Sequence, residues 1–186
     1  MKYIPIIIML VSSMLFAGCA STLPSKFDVK SNYSLLGVKS CVIKAQCDKA
    51  SLDPSINKSF TANYCQMLES VVKMELSRTN RDFQYVPAGG DLNVDIVLEV
   101  LDGGSAAARF WVGFGAGRSI TTVFVRISRG TEPIAEARIT ETSTMPNVST
   151  NQWSNEDVLM QDVPLVARSI AAFVNDPEKY KKESQY

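Results

Sequence analysis

The chain has 186 residues with 19 basic and 19 acidic side chains, a length that fits one ordinary domain. Because the charges balance, no field of one sign draws the protein to nucleic acid or anionic lipid. The sequence contains no histidine, which excludes Ser-His-Asp and Cys-His catalytic groups and every zinc site that uses histidine. Composition therefore argues against nucleic-acid-binding proteins and against histidine-dependent enzymes.

Residues 1–18 have the three parts of a secretory signal peptide. Lys2 supplies the positive charge, residues 4–16 form an apolar segment, and Ala17-Gly18 is a small-residue cleavage site. The apolar segment is shorter than the roughly 20 residues of a membrane-spanning helix. Cys19 follows directly, and residues 15–19 resemble the bacterial lipobox, although Phe16 stands where an aliphatic residue is more usual.

This resemblance implies that Cys19 is lipidated and becomes the mature N-terminus. The alternative is an ordinary signal peptide that happens to contain a cysteine. A lipid with several acyl chains anchors a protein permanently, because each buried methylene contributes about 0.8 kcal/mol. Ala20 follows the cysteine in place of Asp, which by resemblance favours the outer membrane. The sequence thus predicts a lipoprotein that faces the periplasm.

The mature chain divides into a tether, one domain and a tail. Residues 19–32 are polar and contain Pro24, so we expect the lipidated N-terminus to continue as a flexible tether. Residues 33–175 carry all the strand and helix patterns and predict a single α+β domain. Residues 176–186 are charged and are expected to fray as a polar tail.

The first half of the domain contains one strand and one long helix. Residues 33–45 alternate apolar and polar side chains and predict a strand, followed by a loop with a turn at Asp53-Pro54-Ser55. Residues 59–79 then place apolar side chains at three- and four-residue steps, as in an amphipathic helix, with Asn57 or Ser59 as its cap. The predicted buried positions of this helix are Phe60, Tyr64, Leu68, Val71, Val72, Glu75 and Leu76.

The second half is dominated by strands. Residues 82–86 predict a short strand and residues 91–102 a long one. The inward side chains of the long strand are expected to be Leu92, Val94, Ile96, Leu98 and Val100. Residues 119–129 and 134–144 are expected to be antiparallel neighbours, because only a short turn separates them.

A final helix is predicted over residues 156–175. Asn155 is its expected cap, acidic residues occupy its first turn, and Pro164 is expected to kink or restart it. The order of elements predicts an α+β fold: an antiparallel or mixed β-sheet of about four to five strands with two helices packed on one face.

Three cysteines remain once Cys19 is set aside, and the predicted compartment is oxidising. Cys41 lies in an apolar strand pattern, whereas Cys47 and Cys65 flank a polar loop. We therefore favour a Cys47–Cys65 disulfide, with Cys41–Cys47 as the alternative. The spacings lack the close cysteine pair that zinc sites favour, so no metal site is predicted.

Residues 109–118 form a glycine-aromatic decamer with the sequence Arg-Phe-Trp-Val-Gly-Phe-Gly-Ala-Gly-Arg. Its structural glycines are Gly113, Gly115 and Gly117, and its aromatic residues are Phe110, Trp111 and Phe114. The decamer resembles a motif of small bacterial lipoproteins, the domain of unknown function 4410 family, and the resemblance extends over residues 109–144. It implies a fold and a location, and it attaches no catalytic residue to the motif.

The decamer does not match a nucleotide-binding loop. A dinucleotide fingerprint that starts at Gly113 needs its third glycine at position 118, which is Arg118. The decamer also lies between two predicted strands and does not open a helix. No nucleotide and no other cofactor is therefore predicted.

Two interpretations of the decamer remain open. In the first, its glycines let the connection lie against a neighbouring element while its aromatic residues fill the core. In the second, an exposed apolar patch binds a partner or a membrane, since aromatic residues and arginine are favoured at interfaces. The residues of this hypothetical partner-binding patch are Arg109, Phe110, Trp111, Phe114 and Arg118.

No catalytic residue is predicted. Asp95 and Glu99 share one face of a predicted strand about 13 Å apart, as ordinary surface charges do. The leading hypothesis is a non-enzymatic binding or assembly module, anchored in the outer membrane by its lipid and able to bind an envelope protein or itself. The alternatives are an enzyme or enzyme activator that acts on peptidoglycan, and a structural oligomer of the envelope.

Overall fold

The computed structural model describes residues 27–30, 33–48, 50–54, 56–79, 83–104, 118–142 and 154–183. Within these residues, an α+β fold is built from a mixed open sheet and three helices. The strands are β1 (Phe27–Val29), β2 (Ser40–Gln46), β3 (Ser51–Leu52), β4 (Gln84–Tyr85), β5 (Leu92–Asp102), β6 (Ile120–Arg129) and β7 (Glu132–Thr142). The helices are α1 (Lys58–Thr79), α2 (Asn155–Asn175) and α3 (Pro177–Glu183).

The sheet combines an antiparallel half with a parallel half. Its strand order is β1-β7-β6-β5-β2-β4, and β3 pairs with β5 beyond the end of β2. The pairs β1–β7, β7–β6 and β6–β5 are antiparallel, whereas β5–β2, β5–β3 and β2–β4 are parallel. A parallel neighbour requires a crossover connection, and α1 forms part of the one between β2 and β4.

The core lies between one face of the sheet and helices α1 and α2, which pack against each other. Inward side chains of neighbouring strands fall into rows, such as Ile43, Val94, Ile127 and Ala135. All four are at most 4% exposed. The alternation predicted for the long strands is therefore correct, because the side chains of a strand point in turn to opposite faces.

A bulge changes the inward set at the end of β5. The register with β6 shifts between Leu98 and Val100, so Leu101 is the buried residue there and Val100 is only half-buried. The prediction of Val100 as an inward residue was wrong for this reason. A bulge inserts one unpaired residue and reverses the alternation beyond it.

Helix α1 begins as the sequence suggested. The Asn57 side chain accepts a hydrogen bond from the Phe60 backbone N–H at 2.7 Å, so Asn57 rather than Ser59 is its cap. The buried residues of α1 are Thr61, Tyr64, Cys65, Leu68, Val72, Glu75 and Leu76. Phe60 and Val71, which were predicted to be buried, are half-buried at the margin of this stripe.

Helix α2 differs from its prediction at two points. Its cap is Ser154, whose hydroxyl oxygen accepts a hydrogen bond from the Asp157 N–H at 3.0 Å, and Asn155 is the first helical residue. The helix also continues through Pro164 without a restart. An interior proline costs about 3 kcal/mol. The flanking side chains Val163, Val166 and Ala167 are at most 1% exposed, and their packing keeps the helix continuous.

The sheet and the helix set are larger than predicted. Residues 27–29, expected in the tether, form β1 against β7, and residues 177–183, expected in the frayed tail, form α3. The Phe173 ring of α2 contacts Phe27 and Tyr180 with centroid distances of 5.8 Å each. The short strands β1 and β3 have three and two residues, too few for alternation to be recognised. β4 lies within the short strand predicted over residues 82–86.

The cap of α2 can be tested by substitution. We expect Ser154→Ala to lower the free energy of unfolding by about 1 kcal/mol and Ser154→Asp to retain it, since aspartate also caps helices well. Urea denaturation of the three proteins measures this. The matched control is Ser70→Ala on the exposed side of α1, which should cost nothing because alanine favours a helix interior. Equal stability of Ser154→Ala and wild type would contradict the assignment.

Candidate functional site at the loop end of the sheet

Two long connections, one of which contains the glycine-aromatic decamer, begin and end at the same end of the sheet. Asp102 of β5 is paired with Ile120 of β6, and Ile120 is paired with Thr142 of β7, so these residues form the last row of the sheet. The connection 105–117 leaves and returns at this row. The connection 143–153 leaves at Thr142 and returns at Ser154. We call this last row of the sheet, together with Ser154, the loop end.

The N-termini of both long helices are tied together at the loop end. The Asn155 side-chain amide donates to an Asp53 carboxylate oxygen at 2.9 Å, and the Asn57 amide donates to Glu156 at 3.0 Å. Gly103 packs so closely on α2 that a Cβ atom there would lie 2.2 Å from Asn155 Cβ. Any residue other than glycine at this position would therefore force the start of α2 to shift.

A cleft of about 570 Å³ opens beside these helix starts. Its walls are the N-terminal half of α1 and the connection from β2 to β3. The lining residues are Ala45, Cys47, Asp48, Ala50, Leu52, Lys58, Thr61, Ala62, Cys65, Gln66 and Glu69. Most of these side chains are small, so a ligand in the cleft would approach the backbone closely.

A disulfide between Cys47 and Cys65 holds the two walls of the cleft together, with a Cα–Cα distance of 6.2 Å. This is the pairing that the sequence favoured over Cys41–Cys47. Cys41 is free and 0% exposed, and burial raises the pKa of its thiol to about 12. Cys41 is therefore a core side chain, and its burial favours the protonated thiol over the reactive thiolate.

Charged groups line only the outer part of the cleft. Glu69 bonds to Lys73 at 2.6 Å and accepts a weak hydrogen bond from the Ala45 N–H at 3.4 Å. Lys58 and Asp48 are exposed at the margin. The arrangement can hold a small or extended group through apolar contacts and a few polar ones, which is typical of binding sites.

A polar cluster lies buried beneath the loop end. The Ser119 hydroxyl donates to the Asp162 carboxylate, and both residues are at most 4% exposed. The Tyr64 hydroxyl donates to Thr121 at 3.4 Å. Burial raises the pKa of Asp162 above the usual range for aspartate, the Ser119 hydrogen bond lowers it and nearby Glu141 raises it. Burial likewise raises the pKa of Tyr64.

Sequence reasoning missed this cluster. Asp162 lies between Val158 and Val166 on the apolar stripe of α2, each four residues away, and a carboxylate at such a position was the available signal. Ser119 is the residue directly after the decamer. The end of connection 105–117 is therefore fixed to the core through a hydrogen bond to α2.

Most predicted site residues fall outside the described part of the chain. These residues are Cys19, Arg109, Phe110, Trp111, Gly113, Phe114, Gly115 and Gly117. Arg118 is described and lies exposed at the loop end. The two interpretations of the decamer therefore stay as predictions from the sequence.

The carboxylates Asp95 and Glu99 lie on the sheet face opposite the helices. Arg138 donates two hydrogen bonds to the Glu99 carboxylate, one from Nε to Oε2 and one from Nη2 to Oε1 at 2.8 Å. Asp95 is opposite Arg126 in the register of β5 and β6. In the described residues, no group of three side chains is arranged to ligate a metal ion, and none of their helices is long and apolar enough to cross a membrane.

The disulfide should contribute substantially to stability. Its closed loop spans a sequence separation of 18, for which the loss of chain entropy in the unfolded state corresponds to about 3 kcal/mol. We expect the double variant Cys47→Ser/Cys65→Ser to lose about this much in urea denaturation. Oxidised wild type treated with a reductant is the matched comparison and should lose a similar amount. A double variant as stable as the oxidised protein would contradict the prediction.

Asp162 should make stability depend on pH. Because its pKa is raised in the folded state, its favourable contribution is complete below the unfolded pKa and is lost as the pH rises through the folded pKa. We therefore expect Asp162→Asn to gain stability relative to wild type as the pH rises above about 4, the pKa of an unfolded aspartate. Urea denaturation at a series of pH values measures the difference. Ser70→Ala on the exposed side of α1, which removes no titratable group, is the control and should show no such trend.

No protein-family model matches the chain, and no curated protein matches it in sequence. Solved structures with a similar arrangement include the PelC dodecamer from Paraburkholderia phytofirmans, at 10% identity and a TM-score of 0.48 over 78% of this chain and 97% of that chain. A domain of unknown function 330 protein from Xanthomonas campestris has 12% identity and a TM-score of 0.46 over 87% and 95%. Rare lipoprotein B from Shewanella oneidensis has 12% identity and a TM-score of 0.34 over 77% and 98%. Of these three proteins, rare lipoprotein B is named as a lipoprotein, and the domain of unknown function 4410 resemblance of this chain stays a prediction from the residues.

Proposed function

We propose that this chain is an outer-membrane lipoprotein that faces the periplasm and acts as a non-enzymatic binding or assembly module of the cell envelope. The observation that carries the proposal is the sequence of residues 15–19, which places Cys19 directly after a short apolar segment. A lipidated cysteine at this point anchors the domain that begins at β1, only eight residues later.

The disulfide supports export from the cytoplasm. Disulfides persist in oxidising compartments such as the periplasm and are rare in reducing ones. Cys47 and Cys65 come from different elements and are placed together by the fold. Their pairing therefore agrees with the destination that the signal peptide predicts.

The loop end supports a binding role. It combines a cleft next to the disulfide with the ends of the connection that contains Phe110, Trp111 and Phe114. Exposed aromatic residues flanked by arginine are favoured anchors of protein interfaces. We propose that the decamer and the cleft contact an envelope protein or a second copy of this chain.

Lipidation at Cys19 can be tested directly. We expect the mature wild-type protein to carry the mass of a multiply acylated cysteine and to fractionate with the outer membrane. Cys19→Ser should lack this mass and leave the membrane fraction, since several acyl chains are required for stable anchoring. Ser21→Ala is the neighbouring control and should behave as wild type. An unmodified Cys19 in the mature protein would exclude the anchor.

The binding role can be tested by photo-crosslinking in living cells. A photoreactive residue at position 111 should form a discrete adduct, whereas one at Met74, which is 51% exposed on α1, should not. Mass spectrometry of the adduct separates a partner protein from self-association. If no adduct forms, the decamer is not an interface. Release of muropeptides from sacculi by the purified protein would instead favour the peptidoglycan-acting alternative.

A further inference from the structure

The direction of β1 determines where the lipid anchor lies relative to the domain. β1 runs antiparallel to β7, with Phe27 opposite Ala137 and Val29 opposite Ala135. The chain before Phe27 therefore leaves the sheet in the direction in which β7 runs towards Thr142. Thr142 belongs to the last row at the loop end, so the exit from β1 points to that end.

The root of the tether is fixed on the domain. The Phe27 ring contacts Phe173 of α2 with a centroid distance of 5.8 Å. Directly after β1, the Lys30 backbone N–H donates to the Ile134 carbonyl at 3.0 Å. The Lys30 ammonium group forms an ion pair with Glu132 at 2.8 Å. The root of the tether therefore has a fixed place and direction on the domain.

The tether is also short. Eight residue steps separate Cys19 from Phe27, so the lipid lies at most about 28 Å from the Phe27 backbone. Five residues of β7 separate the Ala137 row from the Thr142 row, which is about 17 Å along the strand. The lipid attachment point therefore lies no more than about 11 Å beyond the loop end along the exit direction.

The tether is too short to bring the opposite end of the sheet to the lipid surface. That end consists of the Gly130-Thr131 hairpin turn and the chain around Ser34, whose carbonyl accepts a hydrogen bond from Arg129. To reach the Gly130-Thr131 end, the tether must first turn back on itself. Such a turn uses about three residue steps that add no distance in the new direction. The remaining five steps span about 18 Å, only as far as the Glu132 row, and the turn itself projects beyond that row.

We infer that the loop end of the domain faces the lipid surface of the membrane in which Cys19 is anchored. This inference rests on the proposed lipidation of Cys19. The exposed charges near the loop end have both signs, with Lys58 and Arg118 against Asp48 and Asp157. The orientation is accordingly set by the short tether and its exit direction, and attraction to an anionic surface is not needed.

The inference places the proposed binding surface beside the membrane, so that a partner bound at the loop end would also lie at the lipid surface. The roots of both connections at the loop end, Gly104 and Arg118 for one and Thr142 and Ser154 for the other, then lie next to the lipid headgroups. Aromatic and arginine side chains suit this interfacial region because each combines an apolar body with a polar end. The Gly130-Thr131 turn and α3, attached near Asp176, remain available on the periplasmic side.

The test compares two exposed threonines, Thr142 at the end of β7 and Thr131 in the hairpin turn before β7. A small fluorescent amino acid is placed at Thr142 or at Thr131 of the full-length lipoprotein, which is processed in cells and reconstituted in phosphatidylcholine vesicles that contain brominated lipid. We expect quenching by the brominated lipid to be several-fold stronger at Thr142 than at Thr131. If either variant fails to fold, Arg118 and Leu36 form an equivalent pair, because both are exposed and Leu36 belongs to the turn after Ser34.

The possible outcomes separate the orientation from the anchor. Equal quenching at both positions, or stronger quenching at Thr131, in protein that carries the acyl mass would overturn the orientation and leave the lipidation intact. Protein without the acyl mass would overturn both. A Gly/Ser insertion after Ser21 should weaken the contrast, since a longer flexible tether permits more orientations. A contrast unchanged by the insertion would overturn the tether as its cause.

Discussion

The pairing of β5 on both of its edges is the constraint on which the rest of the structure depends. One edge holds the parallel strands β2 and β3, and the other holds the antiparallel strand β6. The parallel side requires a crossover, which places α1 over the sheet. On the antiparallel side, the connection 105–117 joins the end of β5 to the start of β6, and both lie at the same end of the sheet. The position of the cleft and the loop end both follow from this strand.

The long elements could be predicted because each carries many repeats of its own period. The inward residues of β5 up to Leu98 and of β6 alternate without interruption, and the α1 stripe recurs from Tyr64 to Leu76. The short strands β1 and β3, which were not predicted, offer no such repetition. Their existence depends on long-range pairing, as between Phe27 and Ala137, which a local pattern does not contain.

The departures from the predicted elements have local causes of different kinds. A bulge after Leu98 reverses the face of Val100, and bulges have no reliable signal in one sequence. Asn155 was predicted as the cap because asparagine caps helices well, but Ser154 directly before it belongs to an equally good cap type. Pro164 signals a break only when packing is ignored, and here the apolar side chains around it are buried.

The candidate site was less predictable than the fold. The Cys47–Cys65 pairing could be favoured from the polarity of the segments around the two cysteines, whereas the cleft depends on how α1 lies against the β2–β3 connection. The Ser119–Asp162 pair joins residues 43 positions apart. A carboxylate in an apolar helix stripe indicates a buried partner, yet it does not identify which hydroxyl that partner is.

Phe173 links the two ends of the described chain through one side chain. Its ring touches Phe27 of β1 on one side and Tyr180 of α3 on the other. Terminal segments ordinarily open independently at little cost in free energy. Here both segments pack against the same ring, and fraying of either one exposes that ring and weakens the packing that the other segment meets. We therefore expect the two segments to fray together, although they lie far apart in the sequence.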